Sequence, residues 1–313
     1  MSTRCEDRGP WMTRAECQTF APDFRIATTP AHEEPNLENV VRRIEEVATL
    51  PQVALKVIEV AGNPNAGAAD LRRSVECDPS LSARILRCVN SAAYALRCQV
   101  TSLQQAISLL GFDQVRNLAI TASVSELSRS TEAIGPYRRT ELWRHMVSVG
   151  ICSRLVATRQ RLSNFEEVFL AGLLHDLGII LEDQQCHALF REVIAALTPA
   201  RTLCEVEHSI LGFDHTALGG AVAEVWKFPP GVLAAIRHHH SSLERGAPHA
   251  STVHCVELAN LICTVKGTPS VGVKLLTVPR TAMNALGLGK EDVKILVADL
   301  DHELALNRGL FDL

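Results

Sequence analysis

Apolar residues recur along most of the chain at the three-and-four spacing of an amphipathic helix. Leu37, Val40, Val41 and Ile44 fall on one face of a first segment that opens at Asn36. Leu50-Pro51 interrupts it, because proline cannot continue a helix, and a second helix begins with Val53 to Val60. The run GNPNAGAAD reads as a turn followed by a helix start. Asp78-Pro79 predicts a sharp entry into SLSARILRCVN, with Asp as N-cap and Pro at the first helical position. Ser102 and Gln105 suit a capping box for LQQAISLL, and Gly111 suits its C-terminal cap. Asp113 is a candidate cap for VRNLAITASVSEL. Residues 36–127 thus read as five or six short helices joined by tight turns, with no alternating strand segment.

The stretch SRSTEAIGP reads as a linker, and a second helical block starts near Tyr137. It holds ELWRHMVSVGICSRLVA, then NFEEVFLAGLLHDLG, then helices near 187–197 and 202–210. HTALGGAVAEVW, GVLAAIRHHH and STVHCVELANLICTV follow, and two short helices occupy about 279–308. The expected class is all-α, an N-terminal helical lobe (36–127) packed on a second helical lobe (137–265), with a helical tail over 266–313. Residues 1–35 lack periodicity and read as a disordered leader.

Composition sharpens this picture. Hydrophobic residues make up 47% of the 313 positions but aromatics only 4%, so the core must be aliphatic. The net charge of −4 weighs against a dedicated nucleic-acid binder. The ten cysteines include no CxxC pair, which excludes a zinc ribbon and leaves reduced, core-filling thiols. The N-terminus has no apolar stretch of a secretory signal, and no apolar run is long enough to span a membrane. A cytoplasmic location is expected.

Candidate chemistry gathers in one place. Ten of the twelve histidines lie between His145 and His254, and histidine is the commonest metal ligand. The central feature is His175-Asp176 inside the apolar segment AGLLHDLGIIL, where two adjacent polar residues need partners. A divalent cation would satisfy both, as would a buried His–Asp pair with neighbouring side chains. His145 lies on an amphipathic helix upstream, His215 opens a helix, His239 and His240 end another, and Asn260 sits in the apolar ELANLI. Successive helices that each deliver one polar residue can build a metal site. His238 is assigned to the solvated face, since each helical step turns by about 100°. His187, His208, His249 and His254 read as ordinary surface or interface residues.

These segments, taken in order, resemble the HDOD family, a branch of the HD-domain superfamily of metal-dependent phosphohydrolases. The N-terminal marks are LPQVALKVIEV, ECDPSLSARILRCVNSAAY and SLQQAISLLGFDQVRNLAI. The C-terminal marks are LWRHMVSVG, FLAGLLHDLGIIL, EVEHSILGFDHTALGGAVAEVWKFP and AIRHHH. The resemblance covers about residues 36–265 and implies a bacterial signal-transduction or regulatory protein that acts mainly through ligand or protein binding. It implies a metal set of His145, His175, Asp176, His215, His239, His240 and Asn260, holding one divalent ion (Fe, Mn or Zn) or none. Asn260 stands where an aspartate is expected and brings no negative charge. The alternative is a metal-dependent phosphohydrolase acting on a nucleotide or phosphoester, in which Asp176 would serve catalysis. SSLERGAP follows His240 where the related HD-GYP proteins carry a GYP signature, which argues against that type. The partner implied is a signalling protein or a small-molecule or nucleotide ligand, with no membrane and no nucleic acid.

Overall fold

A computed structural model describes residues 36–47, 52–63, 65–91, 96, 98–273 and 278–312. The leader expected over 1–35 and the break at Leu50-Pro51 lie outside these residues. Six helices come first: Leu37–Val47 (α1), Gln52–Gly62 (α2), Ala68–Glu76 (α3), Pro79–Val89 (α4), Leu103–Leu110 (α5) and Phe112–Ser125 (α6). α4 starts where the sequence places it. The Asp78 carboxylate accepts from the Ser80 and Leu81 N–H groups, and Pro79 is the first helical residue. Leu81, Ile85, Cys88 and Val89 form its buried stripe, and each fully buried aliphatic side chain contributes about 1.5–3 kcal/mol.

Two local expectations need correction. Asp113 does not cap α6; it is the helix's second residue and pairs with Arg116 at 2.7 Å. Gly111 makes the junction between α5 and α6 instead, at φ +88°, a conformation open mainly to glycine. The expected linker contains a hairpin, in which Ala133–Ile134 (β1) and Tyr137–Arg138 (β2) pair antiparallel across Gly135-Pro136. Gly135 supplies the positive φ that so short a turn demands. Ile134 and Tyr137 anchor it by burial.

The second set of helices is Arg139–Arg159 (α7), Phe165–Leu174 (α8), Leu177–Gln185 (α9), His187–Ala196 (α10), Leu203–Leu211 (α11), His215–Val225 (α12), Pro230–His238 (α13) and Ala250–Val265 (α14). Arg280–Leu286 (α15) and Lys290–Leu306 (α16) follow. Among the described residues the hairpin is the only sheet, so the fold is all-α. α7 is central: it packs against α8, α14 and α16, and Leu142 to Ser153 are buried almost without a break. A helix covered on every side carries little amphipathic signal. The aliphatic core expected from composition runs from Val40 to Leu310. Among the described residues no helix is long and apolar enough to cross a membrane.

Two glycines bring the helices close enough to build a site. A Cβ on Gly172 of α8 would stand 2.5 Å from Ser153 Oγ and 2.9 Å from the Val149 carbonyl on α7. A Cβ on Gly178 would stand 1.9 Å from the backbone oxygen of His215. Gly172 therefore sets α8 tightly on α7, and Gly178 admits the start of α12 against α9.

Candidate metal centre

His175 and Asp176 do not lie inside a helix, as the apolar pattern suggested. They form the junction between α8 and α9, where the backbone leaves helical geometry at Asp176 (φ −98°, ψ 16°). The turn aims both side chains into the interior, where His175 is 0% and Asp176 1% exposed.

Four imidazoles surround the Asp176 carboxylate. His175 Nε2 and His145 Nε2 stand 3.2 and 3.4 Å from Oδ2. His239 Nε2 and His215 Nε2 stand 3.3 and 3.7 Å from Oδ1. Their other ring nitrogens fix the tautomers. His145 Nδ1 donates to the Thr268 carbonyl at 2.6 Å and His175 Nδ1 to the Gly172 carbonyl at 2.7 Å. His239 Nδ1 donates to the carbonyls of Ala235 and Ile236 at 3.0 and 3.1 Å. His215 Nδ1 donates to Glu207 Oε2 at 2.7 Å. A carbonyl oxygen only accepts, so the proton of each neutral ring sits on Nδ1 and the Nε2 lone pair faces the carboxylate.

The ring nitrogens also face one another. His145 Nε2 and His175 Nε2 are 3.3 Å apart, and His215 Nε2 and His239 Nε2 are 3.4 Å apart. Asp176 Oδ2 has no hydrogen-bond donor at all. Buried acceptors crowded in this way are costly unless a cation lies among them. Donors held about 2.0–2.1 Å from one tetrahedral ion stand about 3.3 Å from one another, which is the spacing seen. The residues fit a divalent cation. They form two groups that share Asp176: His145, His175 and Asp176, and Asp176, His215, His239 and His240. The sequence reading favoured one ion or none, and the geometry offers two adjoining positions.

Electrostatics keeps His175 in ligand form. Burial, only partly offset by Asp176, lowers His175 to about 4, so the ring is neutral. For His215 burial is outweighed by the carboxylates of Glu207, Asp176 and Asp214, which raise it to about 9, so this ring must release its Nε2 proton to ligate a cation.

A cavity of about 610 Å³ adjoins this cluster. His239 and His240 form part of its wall, and the exposed His240 is the donor nearest solvent. α14 lines another wall with Glu257, Asn260, Leu261 and Thr264, the i, i+3, i+4, i+7 face of one helix. Asn260 thus reaches the cavity, and its Oδ1 accepts from the Thr264 hydroxyl at 3.4 Å. Arg201 and Arg280 line the same space. Glu257 accepts from the Ser242 hydroxyl, and burial raises its carboxyl to about 7.

Three further histidines are held by neighbours within the fold. His238 is half-buried, with Nδ1 3.2 Å from Ser241 Oγ. His254 donates Nε2–H to the Leu243 carbonyl at 2.7 Å, and His187 bonds Asp183 Oδ1 at 2.9 Å. Sequence reading missed Glu207, Glu257 and the Thr268 carbonyl. Glu207 had a visible signal: it falls on the stripe of Leu203, Val206 and Leu211, where a surface helix should be apolar.

Comparison with known proteins agrees with the fold. An HDOD domain protein of unknown function from Geobacter sulfurreducens superposes with a TM-score of 0.68 at 24% identity, over 88% of this chain and 98% of that one. A protein from Marinobacter aquaeolei VT8 named for signal transduction gives 0.68 at 27% identity, over 88% of this chain and 64% of that one. One from Shewanella amazonensis SB2B, named as a phosphohydrolase, gives 0.68 at 21% identity, over 87% and 97%. An uncharacterized protein of Treponema pallidum (strain Nichols) is 22% identical over 229 residues, 71% of this chain. The chain spans 43% of that curated relative's length. The HDOD domain family itself matches residues 47–242, more than half of the sequence. The chain belongs to the HDOD domain family.

Proposed function

We propose that this protein is a metal-dependent signalling protein. His145, His175, Asp176, His215, His239 and His240 would hold a divalent cation, the adjoining cavity would admit an anionic small-molecule ligand beside it, and a partner protein would read the bound state. The observation that carries this reading is the convergence of four imidazole Nε2 atoms on one buried carboxylate. Asn260 lies on the cavity wall beside these residues. A bound divalent cation supplies Lewis acidity toward an anionic oxygen. The chain's own groups do the rest. Gly172, Ala235, Ile236 and Thr268 carbonyls orient the rings, and Arg201 and Arg280 add positive charge to the cavity.

The test is elemental analysis of protein purified without added metal or a His-tag, beside a His175→Ala/Asp176→Ala variant. About one or more equivalents of Fe, Mn or Zn are expected in the wild type and lost in the variant. A wild type that stays metal-free after reconstitution would overturn the reading.

One observation favours a second reading, a metal-dependent phosphohydrolase. Glu257 lines the cavity and is held near 7, so a large share of it is protonated at neutral pH and could give a proton to a leaving group. Hydrolysis of a model phosphodiester by the wild type, lost in both His175→Ala and Glu257→Gln, would establish it. Hydrolysis unaffected by these changes would remove it.

A further inference from the structure

On the side of His215 remote from Asp176 stands Glu207, with Glu182 as its neighbour, two glutamates outside the donor set gathered around Asp176. Glu182 of α9 and Glu207 of α11 are both 0% exposed. Glu207 Oε2 takes two hydrogen bonds from one residue, the His215 ring at 2.7 Å and the His215 backbone N–H at 3.1 Å. Glu207 Oε1 and both oxygens of Glu182 have no donor. Among the described residues no arginine or lysine pairs with either carboxyl. Burial and then the neighbouring Glu207 push the Glu182 carboxyl well above its usual range. Two ionised carboxylates sealed together from water are costly, and one retained proton between them removes the cost.

We propose that Glu182 and Glu207 are a positioning pair for His215. Glu182, a neutral carboxylic acid, donates to Glu207 Oε1, and Glu207 locks the His215 ring so that Nε2 points at the cation. The inference rests on the metal reading above. Its physical content is orientation. An outer carboxylate fixes the tautomer and angle of a ligating imidazole, and removing such a partner typically weakens metal binding by about 10–100-fold. Glu182 matters because Glu207 has a competing neighbour: Cys204 Sγ lies within 4.8 Å of the Glu207 and His215 donor atoms. Without a donor on Oε1, Glu207 is free to turn toward that thiol and release the ring.

The experiment uses the full chain, stripped of metal and titrated with Co²⁺. Visible absorption reports ligand geometry, and competition with a chelator reports affinity. Far-UV circular dichroism and melting confirm that each variant is folded. Glu182→Gln keeps a donor toward Glu207 and should bind Co²⁺ within about threefold of wild type, well inside the loss that an absent outer partner brings. Glu182→Met removes the donor and fills the space, and should weaken Co²⁺ about tenfold or more and change the spectrum. Glu207→Gln keeps the acceptor without its charge and should fall between them. If wild type binds Co²⁺ and His175→Ala abolishes it, but Glu182→Met and Glu207→Gln match wild type, the positioning pair is wrong and the metal site stands. If wild type takes up no Co²⁺, or His175→Ala binds it as well as wild type does, the metal reading falls and the pair with it.

Discussion

The helices from Leu37 to Ser125 and those from Arg139 to Val265 treat their polar side chains differently. In the first set many of the bonds close on backbone. Asp78 caps α4, and Asn90 brackets Val100 while also donating to the Leu86 carbonyl. Thr121, Ser123 and Ser125 return to carbonyls of their own helix. In the second set closure stops halfway. His145, His175 and His239 each bond a carbonyl through Nδ1 and leave Nε2 against a carboxylate. A buried polar group by itself says little about function. The half that stays unpaired is what points to a ligand.

Asp176→Asn strikes at the heart of this contrast and should have the largest effect, loss of bound metal with the helical fold retained. Metal content by elemental analysis and circular dichroism on the same sample check it. Undiminished metal would make the second set no different from the first.

Glu257→Gln sharpens the contrast through pH. The folded carboxyl is raised to about 7 against an unfolded value of about 4.3. The folded state therefore holds the extra proton between these values, and stability falls as pH rises through that window. Replacing the acid removes the loss, so the variant should gain up to about 3 kcal/mol over wild type at pH 8 and nothing at pH 4. Urea melts at the two pH values measure it, and equal gains at both would refute the assignment.

Asn90→Ala removes three backbone-directed bonds and should cost about 2 kcal/mol in urea melts without changing metal content. A change in metal content would show that the two regions are coupled. Asp78→Ala is the smallest effect expected, about 1 kcal/mol from loss of a cap. Thr at the same position should restore most of it.

Much of this was legible in the sequence. Asp78-Pro79 and Gly111 declare helix ends because their preferences are local, and the order of helices follows from period alone. The order His145, His175-Asp176, His215, His239-His240 was also legible, since each lies on its own segment. The turn at Asp176 was not, because an apolar run keeps its pattern across a junction only two residues long. Glu182 and Glu207 escape a reading of the sequence since helical carboxylates usually face water, and Asp113 misleads it since an acid in the first turn of a helix looks the same in sequence as a cap. The partner of His145 could not be read at all, because a backbone carbonyl leaves no mark on residue identity.

That partner has a consequence for where the working unit ends. The family match stops at residue 242, yet the oxygen that orients His145 belongs to Thr268, beyond α14. A chain cut at the family boundary would keep every histidine of both donor groups. It would lose the cavity wall that α14 provides, and the His145 ring would be left to rotate.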